Sequence, residues 1–429
     1  MRLGTRTRCA PRSPNSLNRS RDPDETSRQL PWIGADSVNA LSLFRQVVEN
    51  RFDPDAVDAL ASFGGRPVIG FLDTGFPEEL AIAAGFHPML LTGDPSSGTA
   101  TVDPYLDLSV PSRVRHLTEA MVTGRHDSVD VLCVTGGDRW LANTHGFLEA
   151  YRQISATPDF GDVYYLERVR GTYREHRDYN LRLHREFRAY LEDRSGNVID
   201  DGELAAAISL TNETRALLRD VAILRTGDDP RISGVDAHTI TMASMLMPKK
   251  AFNAALRQFL ASEVPTAPAV ARDSTRVFLS GSSLDHQRLH EIVESLPAVV
   301  VGEDTEFGAR YAETPINESI DPMEAIADRY TFKAPESWAF GIKRRIAMKV
   351  DAAVAARADV EVFLHLLNDT ATGWDFPDQR RALQEQGIHV VALTDQDYAF
   401  DDAQAVSEKL AEFISHSSGE HNIMKKAEA

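Results

Sequence analysis

The stretch from Asp130 to Arg139, DVLCVTGGDR, predicts the fold of this chain. It begins as a mostly apolar, β-prone run and ends in a Gly-Gly-Asp turn, and a helical pattern starts at about Trp140. This is the profile of a buried parallel strand that leads into a helix. Ligands bind beyond the carboxyl ends of such strands, so the turn is a candidate for a functional site. The competing interpretation is an ordinary strand-to-helix turn in which Asp138 caps the helix.

This turn has a counterpart in the second part of the chain. Residues 360–369, VEVFLHLLND, again read as an apolar strand that ends in a turn with an aspartate, and helical sequence follows. The two stretches occupy corresponding places in two similar halves. The sequence therefore predicts an α/β fold of two Rossmann- or flavodoxin-like parallel-sheet halves with a helical insert between them.

Composition and periodicity set the expected segment boundaries. The first 35 residues are rich in Arg, Ser, Pro and Asn and lack hydrophobic periodicity, so we expect a disordered tail there. Apolar residues at helical spacing mark the insert. We expect the first α/β half with an N-terminal helix at 36–168, the insert at 169–270, the second half at 271–400, and a C-terminal helix and tail at 401–429.

Charge and cysteine content exclude several classes of protein. The formal net charge is −18, which argues against a nucleic-acid partner. No apolar run is long enough to cross a bilayer, so we expect no membrane segment. The chain has two cysteines, Cys9 in the tail and Cys133 in an apolar strand. A disulfide framework is therefore not expected, which fits a cytoplasmic location, and one chain alone cannot build a four-thiolate metal site.

Several short motifs, in order along the chain, carry a family resemblance. They are Pro77-Glu78-Glu79-Leu80, Ala84-Gly85, Pro88, Gly137-Asp138, Ile232-Ser233-Gly234, Gly281-Ser282, Asp304, Gly308, Arg310-Tyr311, Asp359, Phe363 and Asp369. Over about residues 65–400 the chain resembles the 2-hydroxyacyl-CoA dehydratase and benzoyl-CoA reductase family. The resemblance implies an acyl-CoA-like ligand, a hydro-lyase type of activity, dimers of related subunits, and a separate ATP-dependent activator.

The resemblance also implies a [4Fe-4S] cluster, held by three cysteines of a subunit between the two halves. The matching positions in this chain are Val110, Gly137 and Asn368. Valine and glycine have no ligating side chain, and asparagine is a poor ligand for iron. Cys133 lies on the strand four residues before Gly137 and does not replace it. We therefore expect no cofactor from this chain's own residues, and a cluster only in the family or in a partner subunit.

The candidate site residues follow from the turns and from the resemblance. Thr74 and Glu79 are the candidate catalytic residues: Thr74 as a hydrogen-bond donor to a thioester carbonyl, Glu79 as an acid or base. A capping role for Thr74 and a helix-dipole role for Glu79 remain open. Arg310 is a candidate for pairing with a ligand phosphate or carboxylate. The expected cleft between the halves is lined by Thr74, Glu79, Gly137, Asp138, Asn368 and Asp369.

Two further interpretations concern bound ions. Residues 280–283, Ser-Gly-Ser-Ser, precede a helical pattern and could cradle a phosphate with their N–H groups. A divalent cation held by oxygen-rich side chains at the strand ends is a second alternative, with Asp73, Asp138, His365 and Asp369 as the ligands. Their spacing matches no recognised metal motif, and the sequence predicts no metal site.

Three functional hypotheses remain open on the sequence alone. The first is a cluster-free subunit that forms a heterodimer with a related, cysteine-bearing subunit. The second is an enzyme that has kept the cleft but acts without redox chemistry, as a symmetric homodimer. The third is a small-molecule-binding or scaffold protein on the same fold.

Overall fold

The computed structural model describes residues 39–53, 55–57, 66–155, 161–171, 173–227, 229–264, 274–332 and 341–428, with side chains described up to residue 415. The predicted disordered tail, residues 1–35, and its Cys9 lie outside this range. The chain folds into two α/β halves joined by long helices, and the predicted fold class is confirmed.

The first half is built on a four-stranded parallel sheet. Three of its strands are fully buried, as expected for a sheet covered by helices, and the edge strand β4 is largely half-buried. They are β1 (Val68–Phe71), β2 (His87–Leu90), β3 (Val131–Thr135) and β4 (Asp162–Leu166), in the order β2-β1-β3-β4. The helices of this half are α1 (Ala40–Glu49), α2 (Glu78–Ala83), α3 (Ser112–Val122) and α4 (Arg139–Tyr151).

The second half repeats this order of strands. Its parallel sheet contains β5 (Thr275–Gly281), β6 (Ala298–Asp304), β7 (Val360–Leu366) and β8 (His389–Gln396), in the order β6-β5-β7-β8. The helices around it are α9 (Arg288–Glu294), α10 (Ala309–Glu313), α11 (Pro322–Phe332), α12 (Ile342–Ala355), α13 (Thr370–Gly373), α14 (Phe376–Gln384) and α15 (Ala403–Glu428). The shared order places β3 and β7, the two strands that predicted the fold, at equivalent positions.

The insert between the halves is helical wherever its described residues form regular structure. Its helices are α5 (Arg174–Ser195), α6 (Asp201–Thr226), α7 (Gly234–Leu246) and α8 (Lys249–Gln258), the last continued by a π-helical turn, Phe259–Glu263. Asp200 and Glu203 form a reciprocal capping box at the start of α6. Most of α7 is buried, and insert side chains share one apolar core with the first half. No helix in the described part of the chain is both long and apolar enough to cross a bilayer.

Candidate functional site at the facing strand ends

The carboxyl ends of the two sheets meet beside Asn368. This residue follows β7 with a φ of +66°, a left-handed conformation that asparagine adopts more readily than most side chains. Its Nδ2 donates hydrogen bonds to the carbonyl oxygens of Leu108, at 2.6 Å, and Val110, at 3.4 Å. The backbone N–H of Ser112 donates to the carbonyl of Leu367 at 3.2 Å. Two positions that the resemblance assigns to cluster ligands, 110 and 368, are therefore directly bonded to each other.

The third such position, Gly137, lies against Arg168. A Cβ atom at Gly137 would lie 2.3 Å from Nη2 of Arg168, and a Cβ atom at Gly75 would lie 2.7 Å from its Cζ. The guanidinium thus packs against the turns after β1 and β3. Its Nη1 donates to the carbonyl of Tyr330 at 3.4 Å. Sequence reasoning missed Arg168; its place two residues after β4, at the same sheet edge, was the available signal.

The residues at these positions do not fit an iron–sulfur cluster. The donor set is an isopropyl group, a glycine and a carboxamide, and a cationic guanidinium lies against the glycine. Cys133 is fully buried within β3, and burial raises the pKa of its thiol well above the ordinary value. A protonated thiol inside the sheet is not a ligand at the facing strand ends.

Thr74 links the first half to the second. Both its backbone N–H and its Oγ1–H donate to Oε1 of Glu306, each at 2.9 Å. Glu306 lies after β6, and its own backbone N–H donates to Oγ of Ser283 at 2.9 Å. Thr74 is therefore at the predicted cleft, but its hydroxyl proton is directed at a carboxylate. Glu306 was not singled out from the sequence because its partner is 232 residues away.

Glu79 lies beneath the helical insert, enclosed by protein side chains. It is completely buried, and its Oε1 lies 2.5 Å from Nη2 of Arg215 on α6. Tyr330 donates its hydroxyl to Oε2 of Glu79 at 2.9 Å. Burial alone would raise the pKa of Glu79, but the charges of Arg215 and Arg329 outweigh it and lower the pKa to about 2. This environment favours a permanently ionised carboxylate that anchors the insert over a proton-transferring one.

The neighbouring acid, Glu78, also pairs with buried side chains of other segments. Its Oε2 lies 2.6 Å from Nζ of Lys249, on α8 of the insert. Its Oε1 accepts a hydrogen bond from the hydroxyl of Tyr311, on α10, at 2.6 Å. The Pro-Glu-Glu-Leu motif therefore directs two carboxylates into the junction of the first half, the insert and the second half.

Asp138 and Asp369 occupy the predicted turns. Asp138 caps α4: its Oδ1 accepts from the N–H of Trp140 at 2.6 Å. Oδ2 of Asp369 accepts from Oγ of Ser282 at 2.6 Å. Burial raises the pKa of Asp369, and the negative charge of Asp138 adds to the shift. Asp138 of the first half is therefore close enough to influence Asp369 of the second half.

The structure forms neither of the two ion sites considered from the sequence. His365 pairs with Asp395, at 3.8 Å, rather than with Asp73. Among the described residues, Asp73, Asp138, His365 and Asp369 do not converge as ligands; a separate cluster of two histidines and a glutamate does. The turn at 280–283 directs its serine hydroxyls to protein partners, and α9 begins only at Arg288. A four-residue cation site and a helix-capped phosphate cradle are therefore not formed by these residues.

Arg310 lies in a cavity of about 210 Å³ in the second half, beside the carboxyl ends of β5 to β7. The other basic groups in its wall are Arg345 and Lys349. Each of the three contacts a neighbour: Arg310 Nε lies 2.7 Å from Asp304 Oδ1, Arg345 Nε 2.8 Å from Asp375 Oδ2, and Lys349 Nζ 2.7 Å from Gln379 Oε1. Thr372, next to the Asp369–Ser282 pair, also lines the cavity.

The two facing flavodoxin-like halves, bridged by helices and joined at the carboxyl edges of their sheets, define a two-lobed α/β protein with its candidate site between the lobes. Within that class, the chain belongs to the family of the 2-hydroxyglutaryl-CoA dehydratase D-component, which it matches over residues 73–415. The resemblance drawn from the motifs is confirmed.

Three relatives are similar to this chain over most of their length. The chain is 24% identical over 334 residues, 77% of its length and 87% of the relative, to the (R)-phenyllactyl-CoA dehydratase beta subunit of Clostridium sporogenes. It is 27% identical over 271 residues, 61% of its length and 67% of the relative, to one of the subunits of benzoyl-CoA reductase from Thauera aromatica. It is 22% identical over 367 residues, 81% of its length and 91% of the relative, to the beta subunit of lactoyl-CoA dehydratase from Anaerotignum propionicum.

Proposed function

We propose that this chain is the cluster-free subunit of an enzyme complex that acts on an acyl-CoA thioester, and that its partner is a related, cysteine-bearing subunit. The observation that carries the proposal is the bonding of Asn368 to the carbonyl of Val110. Groups that cannot ligate iron occupy these two positions and hold each other in place. The chain has the fold of the family. Hydrogen bonds within the protein occupy the place where the carboxyl ends of its two sheets meet.

The relatives support a subunit role. Each is named as one subunit of an enzyme whose name contains a CoA thioester. Two of the three names describe dehydratases, so a lyase reaction is the first activity to test in the complex. The ATP-dependent activator that the resemblance implies would act on the cysteine-bearing partner, because only that subunit would hold a cluster.

This chain's own residues supply binding and positioning in the proposed complex. Asp369, with its raised pKa and its hydrogen bond from Ser282, is the acid best placed to hold a proton near the interface. The hydroxyl of Thr74 can donate to a thioester carbonyl only when its hydrogen bond to Glu306 is broken. Thr74 would therefore contact the thioester only after the ligand has entered. Glu79 stabilises the insert and takes no part in proton transfer.

The cavity of the second half, whose wall carries both basic and acidic side chains, favours a second candidate function, a small-molecule-binding protein that works without the partner. Arg310, Arg345 and Lys349 offer positive charge to a phosphate or carboxylate. At about 210 Å³, however, the cavity is smaller than the roughly 300–1,000 Å³ of most ligand pockets. It can take only part of an acyl-CoA, which is why we place the complete thioester at an interface with a partner.

The decisive experiment is co-expression with a cysteine-bearing member of the family encoded beside this chain. Only this chain carries an affinity tag, and purification is anaerobic. Recovery of a stoichiometric pair, with thioester turnover by the pair and by neither chain alone, supports the proposal. An active homodimer of this chain that does not bind its neighbour refutes it and selects the non-redox enzyme.

A further inference from the structure

Two histidines and a glutamate converge where the insert meets the second half. His238 lies on α7, His290 on α9 and Glu303 on β6. The three residues are 1%, 3% and 3% exposed. One ligand atom from each lies within 4.8 Å of the others. No motif spacing predicts this group, because the three residues come from separate elements of the insert and the second half.

The distances suit a single ion. His290 Nε2 lies 3.2 Å from Glu303 Oε2, and His238 Nδ1 lies 3.9 Å from the same oxygen. Two ligand atoms bound about 2.1 Å from a tetrahedral ion are separated by roughly 3.4 Å. The two observed distances to Oε2 of Glu303, 3.2 Å and 3.9 Å, lie on either side of that value. Small side-chain rotations would therefore bring all three ligands onto one ion.

Three buried nitrogens in this cluster lack a hydrogen-bond partner among the described residues. They are Nδ1 and Nε2 of His238 and Nδ1 of His290. A buried polar group without a partner is costly, and such groups call for an explanation. An ordinary His–Glu hydrogen bond explains His290 Nε2 but leaves both nitrogens of His238 unexplained. An ion bound to one nitrogen of His238 removes part of that cost.

The carboxylate of Glu303 is oriented for this role by its neighbours. Nη1 of Arg225 lies 3.1 Å from Oε1 of Glu303. Oε2 faces the two histidines and also accepts a hydrogen bond from Oγ1 of Thr305 at 3.2 Å. A Cβ atom at Gly308 would lie 2.4 Å from Cδ of Glu303, so the side chain is held closely along its length. Partners that fix a ligating carboxylate in this way are typical of metal sites.

The ligand chemistry selects the type of metal. Magnesium and calcium prefer sites made of oxygen atoms, whereas imidazole nitrogen suits zinc and other transition metals. The guanidinium of Arg225 also reduces the negative charge available to a hard cation. We propose that His238, His290 and Glu303 bind one divalent transition-metal ion of the zinc type, which fastens the insert to the second half. This inference does not rest on the proposed thioester function, although Glu303 also lines the cavity that contains Arg310.

The test uses the full-length, untagged chain, so that no purification tag contributes histidines. The chain is stripped with a chelator, equilibrated with Zn²⁺ alone, desalted and analysed for metal. We expect one zinc ion per chain. His238→Gln and His290→Gln should each weaken zinc binding at least about tenfold. His126→Gln, at a buried histidine that contacts the carbonyl of Thr92 in the first half, is the matched control and should leave zinc binding unchanged.

Cobalt substitution gives a second measurement that does not depend on the variants folding. Co²⁺ bound by two imidazoles and a carboxylate should give visible d–d absorption without sulfur charge transfer. Folded wild-type chain that retains neither zinc nor cobalt overturns the proposal. So does metal binding that is unchanged in both His238→Gln and His290→Gln, because the ion then binds elsewhere.

Discussion

The side-chain amide of Asn368 donates to the main-chain carbonyl of Val110, 3.4 Å away, across the boundary between the two α/β halves. The same amide contacts the carbonyl of Leu108 at 2.6 Å. The left-handed backbone of Asn368 directs this side chain toward the first half. The resemblance assigns position 368 to a cluster ligand. In this chain the residue at that position instead makes a contact that holds the two lobes together.

Substitutions at Asn368 should separate its backbone role from its amide. Asn368→Gly keeps the left-handed conformation and loses the amide, and should cost about 1 kcal/mol of unfolding free energy. Asn368→Ala loses the amide and also disfavours the left-handed conformation. It should cost about 1 kcal/mol more unfolding free energy than Asn368→Gly. Urea denaturation of the two variants and the wild type measures the difference. Equal stability of all three would show that the amide contact contributes nothing.

The chain should bind no iron–sulfur cluster of its own. Anaerobic reconstitution with iron and sulfide should leave no stoichiometric iron and no visible charge-transfer band, since positions 110, 137 and 368 carry no thiolate. A cysteine-bearing relative treated in the same way is the positive control. About four irons per chain would contradict the prediction.

Restoring cysteines should not be sufficient to restore a cluster. In the triple variant Val110→Cys, Gly137→Cys and Asn368→Cys, the new side chain at 137 meets the guanidinium of Arg168. We expect cluster incorporation only when Arg168→Ala is added. Iron and sulfide analysis of the triple and quadruple variants compares the two cases. Equal incorporation would show that Arg168 moves aside without cost.

Glu79 should contribute stability that disappears in acid. Its pKa is lowered to about 2 in the folded chain, against an ordinary value of 4.5. The ionised form is therefore stabilised by folding above pH 4.5, and that contribution is lost as the pH falls through about 2. The shift corresponds to about 3 kcal/mol. Glu79→Gln should destabilise the chain at pH 7 by about 3 kcal/mol or more, because Arg215 stays buried without its partner.

Unfolding curves between pH 7 and pH 2 provide the measurement. The difference between wild type and Glu79→Gln should shrink as the pH falls. Glu186→Gln, on the exposed face of α5, is the control and should change stability by less than about 0.5 kcal/mol. Wild-type stability in Glu79→Gln, combined with a complex that has lost turnover, would instead restore Glu79 as a catalytic acid or base.

The cavity of the second half should contribute to binding of an anionic ligand. Lys349→Met removes a buried charge from its wall with little change in volume. We expect affinity for CoA or an acyl-CoA, measured by calorimetry on the chain or the complex, to fall at least about tenfold. Arg381→Met, on the exposed side of α14, is the control. Unchanged affinity in Lys349→Met would exclude the cavity from the ligand site.

The sequence predicted the elements because their signals are local. The strand at Val131–Thr135 is a continuous apolar run, as buried parallel strands are. The helix that precedes it, Ser112–Val122, is buried along most of its length. Parallel sheets then place the strand ends at one edge, which brought Thr74 and Asp369 to the interface between the halves.

The site residues that were missed depend on distant partners. Glu306 meets Thr74 from 232 residues away, and Arg168 lies against two glycines whose own sequence gives no sign of it. Glu79 was predicted to line the cleft as an acid or base, and an acid in a first helical turn gives no information about its partners. Its true environment is set by Arg215, 136 residues later. Local pattern identifies an acid but does not reveal what buries it.

The burial of Cys133 has a consequence for how the proposed complex responds to air. Its thiol lies inside β3 with a raised pKa, so it is shielded from oxidants and is not a reactive thiolate. The described part of the chain therefore offers oxygen neither a cluster nor a reactive thiol. Oxygen sensitivity would reside in the partner alone. Air-exposed preparations of this chain should form a fully active complex when fresh anaerobic partner is added, whereas air-exposed partner mixed with fresh chain should stay inactive.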